Sequence, residues 1–285
     1  MKYAIISDVH ANPSALERVL ADAEHFGADK VVCAGDVVGY GPDPAGAIKI
    51  LRERGIPTVM GNHDAAVVGW RDTNGMIGSA REGTERHRRE LGADDLDWLR
   101  SLPYVYENDG FAVAHANFAN PHFMDYIHDR FDARDSMTCR EERMLFVGHT
   151  HMPAIFTLGF FSDPHFPDCR REENERDFHM AKGCQYLVNV GSVGYPRVRP
   201  YSTYALFDPT IGEVQFREVD FDFRGYAEVL KEKSIPVPPW VTVNGGRYVC
   251  DAWTGELLEG DAPAKPEVAC AADCPASEKQ APKAA

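Results

Sequence analysis

The sequence predicts an α/β fold with two facing sheets, and three observations carry that expectation. Short apolar runs alternate with helix-periodic segments through the first 60 residues, the order of a parallel sheet with crossover helices. Further short apolar runs, separated by turns, fill residues 144–216 and suffice for a second sheet packed against the first. The chain has 285 residues, 44% of them hydrophobic, so it can bury a full core without disulfides or metal to hold it together.

Tyr3 to Asp8 is the first strand. Asn12-Pro13 supplies an N-cap and a first-turn proline for a helix carrying Leu16, Val19, Leu20 and Ala23 at helical spacing. Val31 to Ala34 is a second strand ending in Gly35-Asp36, and Asp43-Pro44 caps a helix with Ala47, Ile48 and Leu51. Pro57 to Met60 reads as a third strand, closed by Gly61. Residues 76–101 read as helical with mixed charge, and the run Arg81 to Glu90 as a solvated face. Tyr104-Val105-Tyr106 and Phe111 to Ala114 pair around Asn108-Asp109-Gly110. The later strands are Met144 to Val147, Ala154 to Phe156, Tyr186 to Val188, Tyr204 to Phe207 and Val214 to Phe216. Residues 162–182 are polar and read as a surface loop. Val241 to Val249 suggests a small hairpin. From Glu259 onward Ala, Pro, Glu and Lys dominate, so 259–285 is expected to be a disordered tail behind a single domain spanning 1–258.

Composition narrows the function classes. The net charge is −14, so no basic surface is available to hold nucleic-acid polymer through its phosphates. Seven cysteines, an odd number, show no C-x-x-C pairing and suit free thiols in a reducing compartment. No signal-like start and no apolar run long enough to span a bilayer is visible, so a cytoplasmic protein without a membrane partner is expected.

The polar residues that stand behind these strands are of one kind. Strand one delivers Asp8 and His10, strand two Asp36, strand three Asn62 and His63; later runs deliver His115 and the pair His149 and His151. A histidine behind one strand is an ordinary hydrogen-bonded residue. Repetition at several strand ends, where ligands bind in open α/β sheets, suits a site for divalent ions. Carboxylates and imidazoles ligate such ions, and one Asp can bridge a pair that clamps a phosphoryl group. The ions would also attract an anion that the acidic protein itself repels.

Asp8-Val9-His10, Gly35-Asp36 with Gly41, Gly61-Asn62-His63-Asp64, His115 and Gly148-His149-Thr150-His151 resemble, in order, the five blocks of calcineurin-like metallophosphoesterases, over roughly residues 1–220. The stretches GDVVGYGPDP, VAHANF and NVGSVGYPR are similar to the small bacterial and archaeal phosphodiesterase branch. The resemblance implies a four-layer αββα sandwich of two mixed sheets flanked by helices, with residues 221–258 as an accessory segment. It implies two divalent ions, manganese favoured over iron, nickel or zinc, and phosphodiester hydrolysis by metal-activated water. Asp8, His10 and His151 would hold one ion, Asn62, His115 and His149 the other, with Asp36 bridging. His63 would act at the leaving-group oxygen, and Asp64 would cap or orient the segment behind it. The substrate would be a small phosphoester, with a nucleotide among the candidates.

One departure bears on substrate. The protein-phosphatase branch has G-D-x-x-D-R-G in the second block, where this chain has Gly39 and Tyr40. His63 then lacks a carboxylate partner and a phosphate dianion lacks its guanidinium; Arg197 and Arg199 could supply a contact instead. Phosphomonoesterase or protein phosphatase, dinucleoside-polyphosphate hydrolase and a non-catalytic metal-binding scaffold are the alternatives, the last weakened because no block is degraded. His25, His87, His122, His128, His165 and His179 read as surface residues.

Overall fold

In chain order the elements are β1 (Tyr3–Ile6), α1 (Pro13–His25), β2 (Lys30–Cys33), α2 (Pro44–Glu53), α3 (Asn62–Val67), α4 (Gly78–Glu90), α5 (Ala93–Arg100), β3 (Val105–Asn108), β4 (Phe111–Ala114), α6 (Arg130–Met137), β5 (Met144–Val147), β6 (Ala154–Gly159), β7 (Asp168–Arg171), β8 (Phe178–His179), β9 (Gln185–Asn189), β10 (Ser202–Asp208), β11 (Glu213–Val219), α7 (Phe223–Glu232), β12 (Trp240–Val243), β13 (Gly246–Cys250) and β14 (Leu257–Gly260). This computed structural model describes residues 1–108, 110–162, 167–172, 177–197, 201–220, 222–236, 240–243, 246–250 and 257–260.

Two mixed sheets result. One runs β2-β1-β10-β11-β8, with β1 and β2 parallel and the rest antiparallel. The other runs β3-β4-β5-β9-β6-β7, with β4, β5 and β9 parallel. Side chains alternate along a strand, so each strand feeds two cores. From β1, Tyr3 and Ile5 face inward and join Phe207 of β10 with Phe111, Phe146 and Val188 of the opposite sheet. Ala4 and Ile6 face outward, against Leu16 of α1, Ile48 of α2 and Leu230 of α7. On the far side Ala112, Leu145 and Leu187 pack on Ala133 and Met137 of α6. Helices, sheet, sheet, helix is the four-layer αββα sandwich.

The helix starts are set by their caps. Asn12 accepts a hydrogen bond from the Ala15 N–H at 3.1 Å and Asp43 from the Gly46 N–H at 2.8 Å, each ahead of a first-turn proline. Elsewhere the structure corrects the sequence reading. The third strand shrinks to one bridge, Cys33 to Thr58, because the Met60 N–H is drawn off to the Pro103 carbonyl. Residues 76–101 form two helices, broken where Leu91 is extended and Gly92 caps α5. The polar 162–182 segment contains β7 and β8 as edge strands. Beyond α7, β12, β13 and β14 form a separate three-stranded sheet that includes the expected hairpin. Of the tail expected from 259, residues 259–260 belong to β14 and 261–285 lie outside the described residues. No described helix is long and apolar enough to cross a membrane.

Candidate metal centre

The C-terminal ends of two parallel strand pairs, β1 with β2 and β4 with β5, converge on one spot. Asp8 and His10 follow β1, Asp36 follows β2, His115 follows β4, and His149 and His151 follow β5. Five of these residues hold backbone conformations that L-residues seldom adopt: φ is +54° at Asp8, +48° at His10, +52° at Asp36, +67° at His149 and +60° at His151. Such strain costs on the order of 1–3 kcal/mol per residue and concentrates at functional sites. Its clustering here sets these side chains apart from incidental polar residues.

The side-chain atoms face one another at short range. His10 Nε2 and His151 Nε2 are 3.1 Å apart, and Asp8 Oδ1 is 3.6 and 3.2 Å from them. In the second group His115 Nε2 lies 3.2 Å from His149 Nδ1 and 3.0 Å from Asn62 Oδ1. Asp36 stands between the groups. Its Oδ1 accepts the His63 N–H at 2.8 Å, leaving Oδ2 at 3.4 Å from His115 Nε2 and 3.7 Å from His10 Nε2. Two donors each about 2.1 Å from one ion sit about 3.0–3.4 Å apart at octahedral to tetrahedral angles. The observed spacings are of that size.

Three further features fit cations. The Nδ1–H groups of His10, His115 and His151 each go to a backbone carbonyl, of Val38, Ala34 and Tyr195 respectively, which turns the Nε2 lone pairs into the site. Asp8 Oδ1 is buried with no hydrogen-bond partner, an orphan that a cation would satisfy. The donor set has imidazoles, carboxylates and an amide oxygen but no thiolate. Burial would raise the Asp36 carboxyl, yet the imidazoles of His115, His63 and His10 hold it well below the usual carboxylate range. Burial works against the His115 cation too, but Asp36 lifts it to about 9.

The backbone around Asp36 has no spare room. A Cβ on Gly61 would lie 2.2 Å from Asp36 Oδ1, so the turn that introduces Asn62 and His63 needs glycine. Asn62 and His63 open α3, and Asp64 closes its first turn by accepting the Gly61 N–H at 3.0 Å. Asp64 Oδ1 also takes the N–H groups of Val37 and Val38. Burial and the charge on Asp36 push the Asp64 carboxyl up to about 7.

His63 forms a third cluster with His10 and Asp36 that could also hold a metal ion, its Nε2 4.0 Å from Asp36 Oδ2 and its Nδ1 3.3 Å from Thr84 Oγ1. Burial depresses the ring to about 3 against the pull of Asp36. A cleft of about 610 Å³ opens from Asn62, His63 and His149 and continues past Met76, Ile77 and Tyr126. Tyr126 stacks on His149 at 3.8 Å, and Tyr40 stacks on Tyr195 at 4.2 Å. Arg197 is exposed at this cleft, Nη2 3.5 Å from the Tyr40 hydroxyl. Arg199 lies outside the described residues.

The reading of α4 as a solvated surface is corrected. Ala80, Gly83, Thr84 and His87 are buried at i, i+3, i+4 and i+7. His87 is a core residue: its Nδ1 accepts the Gly39 N–H and its Nε2 donates to the Gly41 carbonyl, both at 2.9 Å. Arg86 donates to the carbonyls of Tyr40 and Gly41. Spacing was the available signal, hidden because the stripe holds no large apolar residue. His25, His122, His128 and His179 are exposed as expected, and His165 lies outside the described residues.

Burial, with Arg86 alongside, depresses His87 to about 3, against about 6.5 in an unfolded chain. Its contribution to stability is therefore complete above about pH 6.5 and is lost as pH falls toward 3, because the unfolded chain binds the proton more readily. In His87→Gln the fall in melting temperature between pH 7.5 and 5 should be smaller than in the parent. Equal slopes would remove His87 as the group responsible.

Comparison with known proteins agrees with this geometry. The calcineurin-like phosphoesterase superfamily domain matches residues 1–211. This chain belongs to that superfamily. A metallophosphoesterase from Sphaerobacter thermophilus is 31% identical and superposes with a TM-score of 0.69, over 83% of this chain and 95% of its own. A hypothetical protein of Pyrococcus horikoshii OT3, 19% identical, shares the fold with a TM-score of 0.65 over 82% and 94%. An uncharacterised protein of Methanocaldococcus jannaschii is 29% identical over 254 residues, 84% of this chain and 94% of the relative. Membership carries divalent-metal dependence, and this calcineurin-like chain has Asp and His clusters that could hold a metal ion.

Proposed function

We propose that this protein hydrolyses phosphodiesters at a dinuclear centre held by Asp8, His10 and His151 on one side, Asn62, His115 and His149 on the other, and Asp36 between. The observation that carries this reading is the position of Asp36 Oδ2, within 3.4–3.7 Å of imidazoles from both groups. Nitrogen and oxygen donors without sulfur accept manganese, iron, nickel or zinc, and the carboxylate and amide oxygens favour manganese. Two such ions would polarise the phosphoryl oxygens and lower the pKa of water held between them.

The chain's own contribution is orientation and a donor. Burial depresses the His63 ring to about 3, so its neutral Nε2–H would meet negative charge growing on a leaving oxygen as a hydrogen-bond donor rather than as a standing cation. Tyr40 and Tyr195 wall the site beside His10 and His151.

Charge around the cleft supports a diester carrying a single negative charge. Beyond the ligand groups it is lined by Arg71, Asp72, Asp125 and Arg197, whose formal charges cancel, and Arg71 donates to the Phe123 carbonyl. A polyphosphate chain would bring several charges to a wall that offers no net compensation. The 36–41 loop supplies no guanidinium for a dianion. Bis-(p-nitrophenyl) phosphate should therefore exceed p-nitrophenyl phosphate in kcat/KM by about tenfold or more, since one missing donor in such a site costs about 2.7–4 kcal/mol. A tenfold preference for the monoester would overturn the diester reading. It would favour a monoesterase with Arg197, already at the cleft, as the dianion's clamp.

A further inference from the structure

We propose that Thr84 is the positioning residue of His63, holding the ring as the tautomer that carries its proton on Nε2, the edge turned toward the metal centre. The proposal deepens the hydrolytic role given to His63 above and rests on it. It starts from an oddity of α4. A helix docked on a protein core normally buries an apolar stripe, yet α4 buries Ala80, Gly83, Thr84 and His87. Buried polar groups are costly unless bonded, so the stripe must be read by its partners.

Those partners are the loop 39–41 and the His63 ring. His87 spends both ring nitrogens on the backbone of Gly39 and Gly41. Gly83 lets the helix approach so closely that a Cβ there would lie 2.6 Å from the Tyr40 nitrogen. Gly39 has φ of +90°, and a Cβ on it would stand 2.1 Å from His63 Nδ1. The ring is thus pressed against a glycine that cannot be replaced without displacing it. Thr84, fully buried, then places Oγ1 3.3 Å from His63 Nδ1. Among the described residues no carboxylate makes an ion pair or hydrogen bond with this nitrogen.

The direction of that bond is set by the other edge. Nε2 is the edge turned to the metal centre, 4.0 Å from Asp36 Oδ2, so a ring that donates there carries its proton on Nε2 and leaves Nδ1 to accept. The Thr84 hydroxyl is then the donor. Its other acceptor within reach is Met76 Sδ at 3.7 Å, and a thioether sulfur is a weak acceptor beside an imidazole nitrogen. Thr84 therefore fixes both the ring's rotation and the side on which its proton sits, and it touches neither substrate nor metal.

The test uses the full-length protein. Thr84→Val keeps the volume and removes the hydroxyl; Thr84→Ser keeps the hydroxyl. Nitrogen-15 NMR of the imidazoles, assigned by comparison with His63→Ala, should show His63 protonated at Nε2 in the parent and in Thr84→Ser, and a shifted tautomer balance in Thr84→Val. With manganese-loaded protein, Thr84→Val should lose about tenfold in kcat on a phosphodiester with an alkoxide leaving group, and less with p-nitrophenolate, a smaller loss than the ~10²–10³ of removing such a hydrogen-bond donor outright. Thr84→Ser should restore the rate. In the His63→Ala background, Thr84→Val should change kcat by less than about twofold, because its route through His63 is gone. An Nδ1-protonated parent ring, an unchanged tautomer in Thr84→Val, or a full tenfold loss on top of His63→Ala would each overturn the assignment. If the parent turned over no phosphoester with any metal, the hydrolytic reading would fail while the NMR comparison still decided whether Thr84 holds the ring.

Discussion

Asp36→Asn should leave the purified protein with fewer than one ion per chain after reconstitution, against two in the parent, and lower kcat/KM by ~10³ or more. The expectation rests on the different tasks of the two Asp36 oxygens. Oδ1 is committed to the His63 N–H, and an asparagine oxygen can keep that bond, so α3 should stay in place. Oδ2 faces imidazoles of both ligand groups, and there the substitution puts an amide NH₂ where an anionic donor stood. On the proposed dinuclear reading, both groups then lose their shared ligand together. Loss of metal assistance is worth several kcal/mol of transition-state stabilisation, and each 1.36 kcal/mol is a factor of ten. Asn62→Ala touches one group alone and should remove at most one ion. Elemental analysis after gel filtration, with melting temperatures run in parallel, separates ligand loss from unfolding. Two ions retained by Asp36→Asn would end the bridging assignment.

Residues of this candidate centre stand out in the sequence because each stands behind a short apolar run, as with His115 after Phe111–Ala114 and His149 after Met144–Val147. Strand polarity then brings such residues to one edge without any knowledge of which strands are neighbours. The residues around His63 were invisible for the opposite reason. His87 and Arg86 act on the backbone of a loop more than 40 positions earlier, and Thr84 on the His63 ring, 21 positions earlier. Docking on backbone selects small and polar residues, so the 3.6-residue stripe carries no hydrophobic signal. The third strand misled in a related way. Pro57 to Met60 has the composition of a strand, but whether its N–H groups find Cys33 or Pro103 is decided by tertiary packing. Helix α6 begins with a capping box at Asp129 and Asp132, a local signal that the apolar pattern alone does not register.

His63→Ala should keep its ions and lose rate by a factor of ~10²–10³, the cost of removing one positioned hydrogen-bond donor to developing negative charge. Retention of ions is the discriminating half of this expectation, because His63 Nε2 also lies near Asp36 and His10 in a group that could itself hold a cation. At 4.0 Å from Asp36 Oδ2 it stands farther off than the imidazoles of His10 and His115. Its Nδ1 is moreover engaged by a side chain, whereas His10, His115 and His151 are anchored through backbone carbonyls. A ligand histidine lost from the centre would reduce metal content; a donor lost from its edge would not. The rate defect should also grow with leaving-group pKa, since p-nitrophenolate spreads its charge into the ring while an alkoxide or ribose oxygen concentrates it where the Nε2–H would donate a hydrogen bond. Removing a buried ring beside Gly39 leaves a cavity, so His63→Asn, which refills part of it without an acidic N–H of the same reach, serves as the control for packing. A flat defect across leaving groups with ions retained would strip His63 of the donor role, and loss of an ion in both variants would move it among the ligands.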